Sequence, residues 1–325
     1  MGKLIRIGTR ESQLAVWQAA KVQDLLAKNN SPSELVYIKS EGDIDLQTPL
    51  YEMGVQGIFT KSLDIALLTG KIDIAVHSMK DVPTQLAKGI VPAAVLERAS
   101  YKDLLVYKTD KLPNGDWSTI NDEDPSKFES LFTAQNSPFT IATSSIRRKA
   151  QWLNRFPNHQ LDNLRGNVNT RLRKVDESNW HGAIFAAAGL ERINLRPQNS
   201  IELEWMLPAP AQGAIMVVCR EADDYCLEAC SHFNDNNTAI CTAIERDFLR
   251  LLLGGCSTPI SALAQVKNSN VIFKGNILSL DGKEKVEVKK TAPIHEAAGL
   301  GKIAAEYLLA NGGQKIADDI RNAAK

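Results

Sequence analysis

Strand-length apolar runs alternate with stretches of helical period from Leu4 to Ser78, and this alternation constrains the fold most tightly. Leu4 to Gly8 reads as a strand. Ser12 then opens a helix whose apolar stripe is Leu14, Val16, Trp17, Ala20, Leu25 and Leu26. Glu34 to Ile38 is the next strand, and Thr60 to Leu68 the next helix, with Thr60 as its N-cap. Asp73 to Ser78 reads as a short buried strand that ends at Met79-Lys80-Asp81. A strand–helix–strand–helix order implies an α/β fold, with a mainly parallel sheet and helices on both of its faces.

The pattern breaks between Lys108 and Ser137, where Pro113, Gly115 and Pro125 sit among Asp, Asn and Ser, so this stretch reads as loop. A second α/β run follows: strand Phe139 to Ala142, helix Ser145 to Phe156, helix Val168 to Val175 and buried strand Gly182 to Ala187. Leu207-Pro208-Ala209-Pro210 reads as a hinge, because proline stiffens itself and its predecessor; Ala214 to Cys219 is another strand. From Asn237 the pattern changes again. Thr238 caps a long helix through Leu253, and Gly254-Gly255 breaks it before Cys256. Strands near Val271–Leu280 and Val286–Thr291, then a helix over Ile294–Leu309, read as a small C-terminal α+β domain. A chain of 325 residues is long for one core, so two or three domains are expected.

No apolar run approaches the roughly 18 residues that span a bilayer. The opening MGKLIRIGTR lacks the features of a signal peptide, and the five cysteines are odd in number. Reduced thiols and a cytoplasmic location are therefore expected.

Lysines plus arginines equal aspartates plus glutamates at 38 each, so net charge points to neither nucleic acid nor membrane. Local clustering is another matter. Between Thr143 and Lys174 there are eight basic residues (Arg147, Arg148, Lys149, Arg155, Arg165, Arg171, Arg173, Lys174) against one acid, Asp162. Thr143-Ser144-Ser145 precedes the helix that carries Arg147 and Arg148, and a helix N-terminus offers unpaired N–H groups to an anion. Arginine forks bind carboxylate or phosphate in bidentate fashion. The bland alternative is a solvated helix face; the sharper one is a polyanionic small molecule or a nucleic acid. A basic segment without interleaved aromatics argues against the nucleic acid.

Three further places could carry chemistry. Lys80 and Asp81 lie at the carboxyl end of a parallel strand, where ligand sites in open α/β sheets gather, though a surface ion pair would look the same. Arg10 and Ser12 sit at the first strand-to-helix turn, where they could bind an anion or simply cap the helix. Cys256, in GGCSTP, could be a small buried hydrophobe, but its loop flanked by glycines and proline suits a nucleophile or an attachment point better. Cys226, Cys230 and His232 have some metal-like spacing, but packing on a helix explains them better. His77, in an apolar strand, reads as a satisfied core histidine.

In order, the stretches IGTRESQLA, IFTKSLDIALL, DIAVHSMKDVPT, IATSSIRRKAQW, LRGNVNTRL, AIFAAAGLERINL, AQGA and LLGGCSTPI closely resemble the hydroxymethylbilane synthase (porphobilinogen deaminase) family over nearly the whole chain. The resemblance implies two α/β domains like the halves of a type II periplasmic binding protein, plus a small α+β domain. The expected boundaries are 1–98 with 213–232, then 99–212, then 233–325. It implies a dipyrromethane primer thioether-linked to Cys256, the addition of four porphobilinogen units in porphyrin biosynthesis, and hydrolysis of the linear tetrapyrrole. Asp81 matches the catalytic carboxylate, which would assist loss of ammonia and steady positive charge on the pyrrole nitrogens.

Each pyrrole brings an acetate and a propionate, so the basic cluster would hold a lengthening polycarboxylate. The resemblance assigns Lys80, Ser12, Thr143, Ser145, Arg147 and Arg148 to the primer. It assigns Arg10, Phe59, Arg165, Arg171, Arg192 and Gln212 to incoming substrate or chain movement. No metal is implied, and the family suggests a monomer that binds neither nucleic acid nor membrane. One departure stands out: the family's Gly-Gly-Lys-Gly loop reads Gly54-Val55-Gln56-Gly57 here, so Gln56 replaces its lysine. The main rival is a non-enzymatic anion-binding protein of the same two-lobed shape, which would leave Cys256 unexplained.

Overall fold

Ile5 and Ile7, then Ile74 and Val76, are buried on one face of their strands, as the two-residue period of a pleated strand requires. The computed structural model describes residues 3–39, 60–108, 138–252 and 258–323. With elements numbered in chain order, the first sheet holds β1 (Ile5–Thr9), β2 (Ser33–Tyr37), β3 (Ile74–Ser78), β4 (Ile90–Val95) and β10 (Ile215–Arg220). Their order is β2-β1-β3-β10-β4. Strand β10 divides its side chains by alternation. Ile215, Val217 and Cys219 pack under helices α1 (Gln13–Lys28) and α6 (Asp224–Ser231), while Met216 and Val218 pack toward α2 (Lys61–Leu68).

The second sheet repeats the plan with β5 (Asp103–Tyr107), β6 (Thr140–Ala142), β7 (Gln160–Asp162), β8 (Gly182–Ala186) and β9 (Ser200–Glu202), in the order β7-β6-β8-β5-β9. Helix α3 (Ile146–Arg155) buries Trp152 on one face; α4 (Val168–Glu177) and α5 (Ala187–Glu191) cover the other. In each sheet four strands point one way. The exceptions are β10, antiparallel to β3 and β4, and β5, antiparallel to β8 and β9. Each exception is the strand that follows a crossing between sheets: β5 succeeds β4, and β10 succeeds β9. Two mainly parallel lobes that exchange strands at two crossings make the type II periplasmic-binding-protein-like fold. The Pro208–Pro210 segment makes the return crossing. There Gly213, at φ +87°, packs so close to the carbonyls of Ala99 and Ser100 that a Cβ would lie 2.7 Å from each.

The third sheet is antiparallel: β11 (Ile260–Lys267), β12 (Asn270–Leu278) and β13 (Lys285–Pro293). Helices α7 (Asn236–Leu251), α8 (Leu300–Leu308) and α9 (Gln314–Ala323) pack on it around Phe248 and Phe273, whose rings are 5.0 Å apart. The β12–β13 turn reaches across to the second lobe. Asn154 Nδ2 of α3 donates to the Gly282 carbonyl at 2.7 Å, and a Cβ on Gly282 would lie 2.6 Å from the Ala150 carbonyl oxygen.

Several expectations are corrected. Asp235, not Thr238, caps α7: its Oδ1 accepts from the Thr238 amide at 2.7 Å, while the Thr238 hydroxyl accepts from the Arg98 amide. An aspartate three residues upstream satisfies the orphan N–H and frees the threonine for another partner. That helix ends at Leu251 rather than Leu253. Thr60 holds the N-cap position, but its side chain makes no capping bond to the helix backbone and serves Asp64 instead. The helix expected from Ile294 begins only at Leu300, because Gly299 at φ +85° separates it from a single 3-10 turn. Strand β4 carries Pro92, an ordinary strand breaker, and keeps it by lying on the sheet edge beside a register shift at Val217/Val218.

Candidate active site

The cleft is built where the two parallel sheets end. Strand β1 ends at Thr9, and Arg10 follows; Ser12 caps α1, its Oγ accepting from the Ala15 amide at 3.4 Å. The capping alternative for Ser12 therefore holds, and Ser12 also lines the cavity described next. Strand β3 ends at Ser78 and continues into one 3-10 turn, Met79–Asp81, which leaves Asp81 exposed at the strand end. Gln18 Nε2 donates to Ser78 Oγ at 2.8 Å. Arg10, Ser12, Gln18, His77, Ser78 and Asp81 line a cavity of about 80 Å³.

Across from it, β6 ends at Ala142 and the chain turns through Thr143–Ser145 into α3. Thr143 Oγ1 accepts from the Ser145 amide at 3.3 Å, and Ser145 Oγ accepts from the Arg148 amide at 3.5 Å. Both hydroxyls thus shape the turn. The first turn of α3 carries Arg147 and Arg148, both buried. Their counter-charge is Asp103, the first residue of β5, which is fully buried. Arg147 Nη2 pairs with Asp103 Oδ2 at 2.8 Å, and Arg148 donates to Oδ1 through Nη2 at 2.6 Å and Nε at 3.1 Å. The other Nη groups donate to backbone carbonyls, Arg147 to Leu207 at 2.8 Å and Arg148 to Ile184 at 2.9 Å.

Gln212 joins the lobes. Its Nε2 donates to Asp103 Oδ1 at 2.9 Å, and its Oε1 accepts from Lys80 Nζ at 3.3 Å. Burial pushes the Asp103 carboxyl up, but the Arg147 and Arg148 guanidiniums outweigh it and hold Asp103 well below the usual carboxylate range. Lys80 reaches solvent within the cleft, yet protein surrounds its ammonium. That enclosure pulls it down to about 8, against the opposing effect of Asp81 and with help from Arg148. Arg171 falls to about 10, through burial first and Arg148 second; its Nε donates to the Gly166 carbonyl at 2.7 Å.

The basic cluster divides. Arg147, Arg148, Arg165 and Arg171 are buried or half-buried at the cleft, and Asp81 acts electrostatically on Arg171. Of the others, exposed Arg173 pairs with Glu177 one turn on and fits the bland reading, while Lys149 bonds Asn163, Arg155 lies over the Trp205 ring at 5.0 Å and Lys174 donates to the Arg165 carbonyl at 3.2 Å. Arg192 stands apart from the cavity. Its Nη2 donates to the Gly213 carbonyl at 2.7 Å and its guanidinium lies 5.8 Å from the Trp17 ring, so it fastens lobe to lobe. His77 is a correction. It is buried, but Nε2 has no hydrogen-bond partner, and burial reinforced by Arg10 pulls it down to about 4, so it is neutral rather than satisfied. Phe59, Cys256 and the Gln56 loop lie outside the described residues.

Sequence reasoning missed residues that hold this site from behind. Asp103 was one more acid at the start of an apolar run. Glu245 of α7 is fully buried. It takes Arg98 at 2.6 Å on Oε1, the Ala211 amide of the return crossing at 2.6 Å and the Ala264 amide of β11 at 2.7 Å. A signal existed: Glu245 lies in the stripe of Cys241 and Phe248, where an acid survives only with partners. Arg246 donates to the carbonyls of Val82 at 2.9 Å and Pro83 at 2.6 Å, directly after Asp81.

The profile described as "Porphobilinogen deaminase, dipyromethane cofactor binding domain" matches residues 5–228, and that of the "Porphobilinogen deaminase, C-terminal domain" matches residues 239–310. The chain belongs to the porphobilinogen deaminase family. It is 39% identical to "Porphobilinogen deaminase" of Chlorobium phaeobacteroides (strain BS1) over 99% of both chains. It is 38% identical to "Porphobilinogen deaminase, chloroplastic" of Oryza sativa subsp. japonica over 98% of this chain and 87% of that one. Among solved structures it is similar to the L-cystine solute receptor of Neisseria gonorrhoeae, at 10% identity and a TM-score of 0.38 over 70% of this chain and 84% of the receptor. Porphobilinogen deaminases are transferases of tetrapyrrole biosynthesis, and their dipyrromethane cofactor is bound through a cysteine. The donor set fits such a polycarboxylate: buried guanidiniums line the second lobe, and Arg147 Nε is buried with no hydrogen-bond partner. Among the described residues no helix is long and apolar enough to cross a membrane, and no cluster of His, Cys, Asp and Glu could hold a metal ion.

Proposed function

We propose that this chain condenses four porphobilinogen molecules, with loss of ammonia, onto a dipyrromethane joined by a thioether to Cys256, and then releases the linear tetrapyrrole by hydrolysis. The observation that carries this reading is the opposition of two unlike walls: Asp81 in a cavity with Arg10 and Ser12, facing Arg147 and Arg148 on Asp103. A bound dipyrromethane would supply the nucleophilic pyrrole carbon for the first unit, and each ring then added would offer its own free carbon to the next. Arg147, Arg148 and Lys80 hold its carboxylates, with Ser12, Thr143 and Ser145 shaping the turns that present them. Arg10, Arg165 and Arg171 take the acetate and propionate of the incoming unit, with Phe59 against its ring. One charge-assisted hydrogen bond is worth about 1.5–3 kcal/mol, so several are needed to draw a hydrated polyanion from water. Asp81, exposed to the cleft, accepts pyrrole N–H bonds and steadies the positive charge that develops as ammonia leaves. Gln212 orients Lys80, and Arg192 sets how far the lobes open.

The domains divide at 1–98 with 213–232, 99–212 and 233–325, so that the third carries the thiol and the first two the anion sites. The enzyme works as a cytoplasmic monomer and binds no nucleic acid. The decisive test is intact mass. Purified protein from a host that makes porphobilinogen should exceed the sequence mass by two pyrrole units, and Cys256→Ser should remove the excess. Wild-type protein at sequence mass, or an excess that survives Cys256→Ser, overturns the proposal.

A further inference from the structure

A carboxylate in a site built for carboxylates is unexpected. Asp103 is fully buried and lies among the groups that would bind a polyanion. Its charge is felt by Lys80, Arg147 and Arg148 alike. Two explanations make opposite predictions. Asp103 could compete, occupying guanidinium N–H groups that the ligand needs. Or it could organise, since guanidiniums packed together repel and turn outward unless a fixed anion holds them.

The geometry favours organisation. A guanidinium has five N–H donors in a rigid fork. Arg148 commits three of them to Asp103 and the Ile184 carbonyl, and Arg147 is anchored at both Nη atoms. Both side chains are thereby locked, while Arg147 Nε has no hydrogen-bond partner among the described residues. The same carboxylate accepts from Gln212, whose Oε1 in turn takes Lys80 from the opposite lobe. One buried acid therefore fixes three cations from both walls. Preorganised donors bind a late-arriving charge better than donors that must first be gathered.

We infer that Asp103 is a positioning residue, the internal counter-charge that sets Arg147, Arg148 and, through Gln212, Lys80 for the carboxylates of the dipyrromethane before that group is attached. This rests on the function proposed above. The test follows cofactor loading rather than turnover. Full-length wild type and Asp103→Asn, both purified without the adduct, are incubated with porphobilinogen, and the two-pyrrole mass gain is followed in time. The substitution keeps shape and removes charge. Compared at a temperature where both proteins are folded, loading should slow at least about 10-fold, the factor expected for loss of one charge-assisted hydrogen bond. Loading at the wild-type rate, or faster, would show that Asp103 is passive or a competitor and would overturn the inference. If wild type itself gains no mass, the proposed function fails and takes this inference with it; if wild type loads and the variant loads equally, only the inference fails. Should Asp103→Asn not fold, Asp103→Asn combined with Arg147→Gln removes one charge of each sign. Its loading is then read against Arg147→Gln alone: further slowing upholds the role of Asp103, and an equal rate overturns it.

Discussion

Arg246 donates through Nη1 to the Val82 carbonyl at 2.9 Å, so a helix of the third sheet's layer grips the chain one residue beyond Asp81. A second bond from the same guanidinium to Pro83 makes the grip bidentate. Backbone carbonyls held this way cannot drift, and a displacement of about an ångström in a catalytic group costs about 100-fold in rate. Arg246→Met should therefore lower kcat by about 10-fold or more, with KM changed much less and the cofactor mass intact. Equal kcat in a folded variant would show that the turn holds Asp81 without this anchor.

Asp81 itself calls for a sharper result. Asp81→Ala should retain the two-pyrrole mass excess and lose turnover by about 100-fold to 1,000-fold, the usual cost of removing one preorganised electrostatic partner of a transition state. Steady-state assays beside intact mass separate the two. Near-normal turnover would move the catalytic charge elsewhere.

Lys80 gives a pH signature. With its ammonium pulled down to about 8, the charge is present below that pH and is lost as pH rises through it. Its hold on carboxylates should weaken in the same direction. The rate at which adduct-free protein gains the two-pyrrole mass should fall several-fold from about pH 7.5 to about pH 9, whereas Lys80→Arg, whose guanidinium stays charged, should flatten the profile. A wild-type loading rate independent of pH over that span would count against a role for Lys80.

His77 speaks to stability instead. Its value in the fold, about 4, lies below the ordinary 6.5, so the unfolded chain binds the proton first as pH falls. Stability is therefore complete above about 6.5 and is lost progressively toward 4, by up to about 3 kcal/mol from this residue. His159 is also pulled down to about 4 and acts in the same sense, so the comparison must be internal. Urea midpoints at both ends of this range should fall less for His77→Gln than for wild type. Parallel losses would place the acid sensitivity elsewhere.

Much of this protein could be read from its residues, for physical reasons. Strands such as Ile74–Ser78 carry their own hydrophobic signal, and the cluster from Arg147 to Lys174 shows in a chain whose charges otherwise cancel. Strand β4 hid behind Pro92, because an edge position is a property of the finished sheet rather than of the run. Asp103 and Glu245 hid for a similar reason: the partners that make a buried acid tolerable come from distant parts of the chain, Arg147 and Arg148 for one, Arg98 and Ala211 for the other. Arg192 shows a different limit: the motif fixes its residue type, while its bond to Gly213 and its place near Trp17 are supplied by the fold.

The turn at Gly282 has a mechanical corollary. Because its carbonyl is bonded to Asn154 and its missing Cβ lets it nest against Ala150, helix α3 and the β12–β13 hairpin behave as cogs in mesh, and neither slides along the other without disengaging. The arginine-bearing helix and the C-terminal layer thus travel together. The first lobe is fastened to the same layer by Arg246 and by the Arg98–Glu245 pair, so that layer is the common frame against which both walls of the cleft are set.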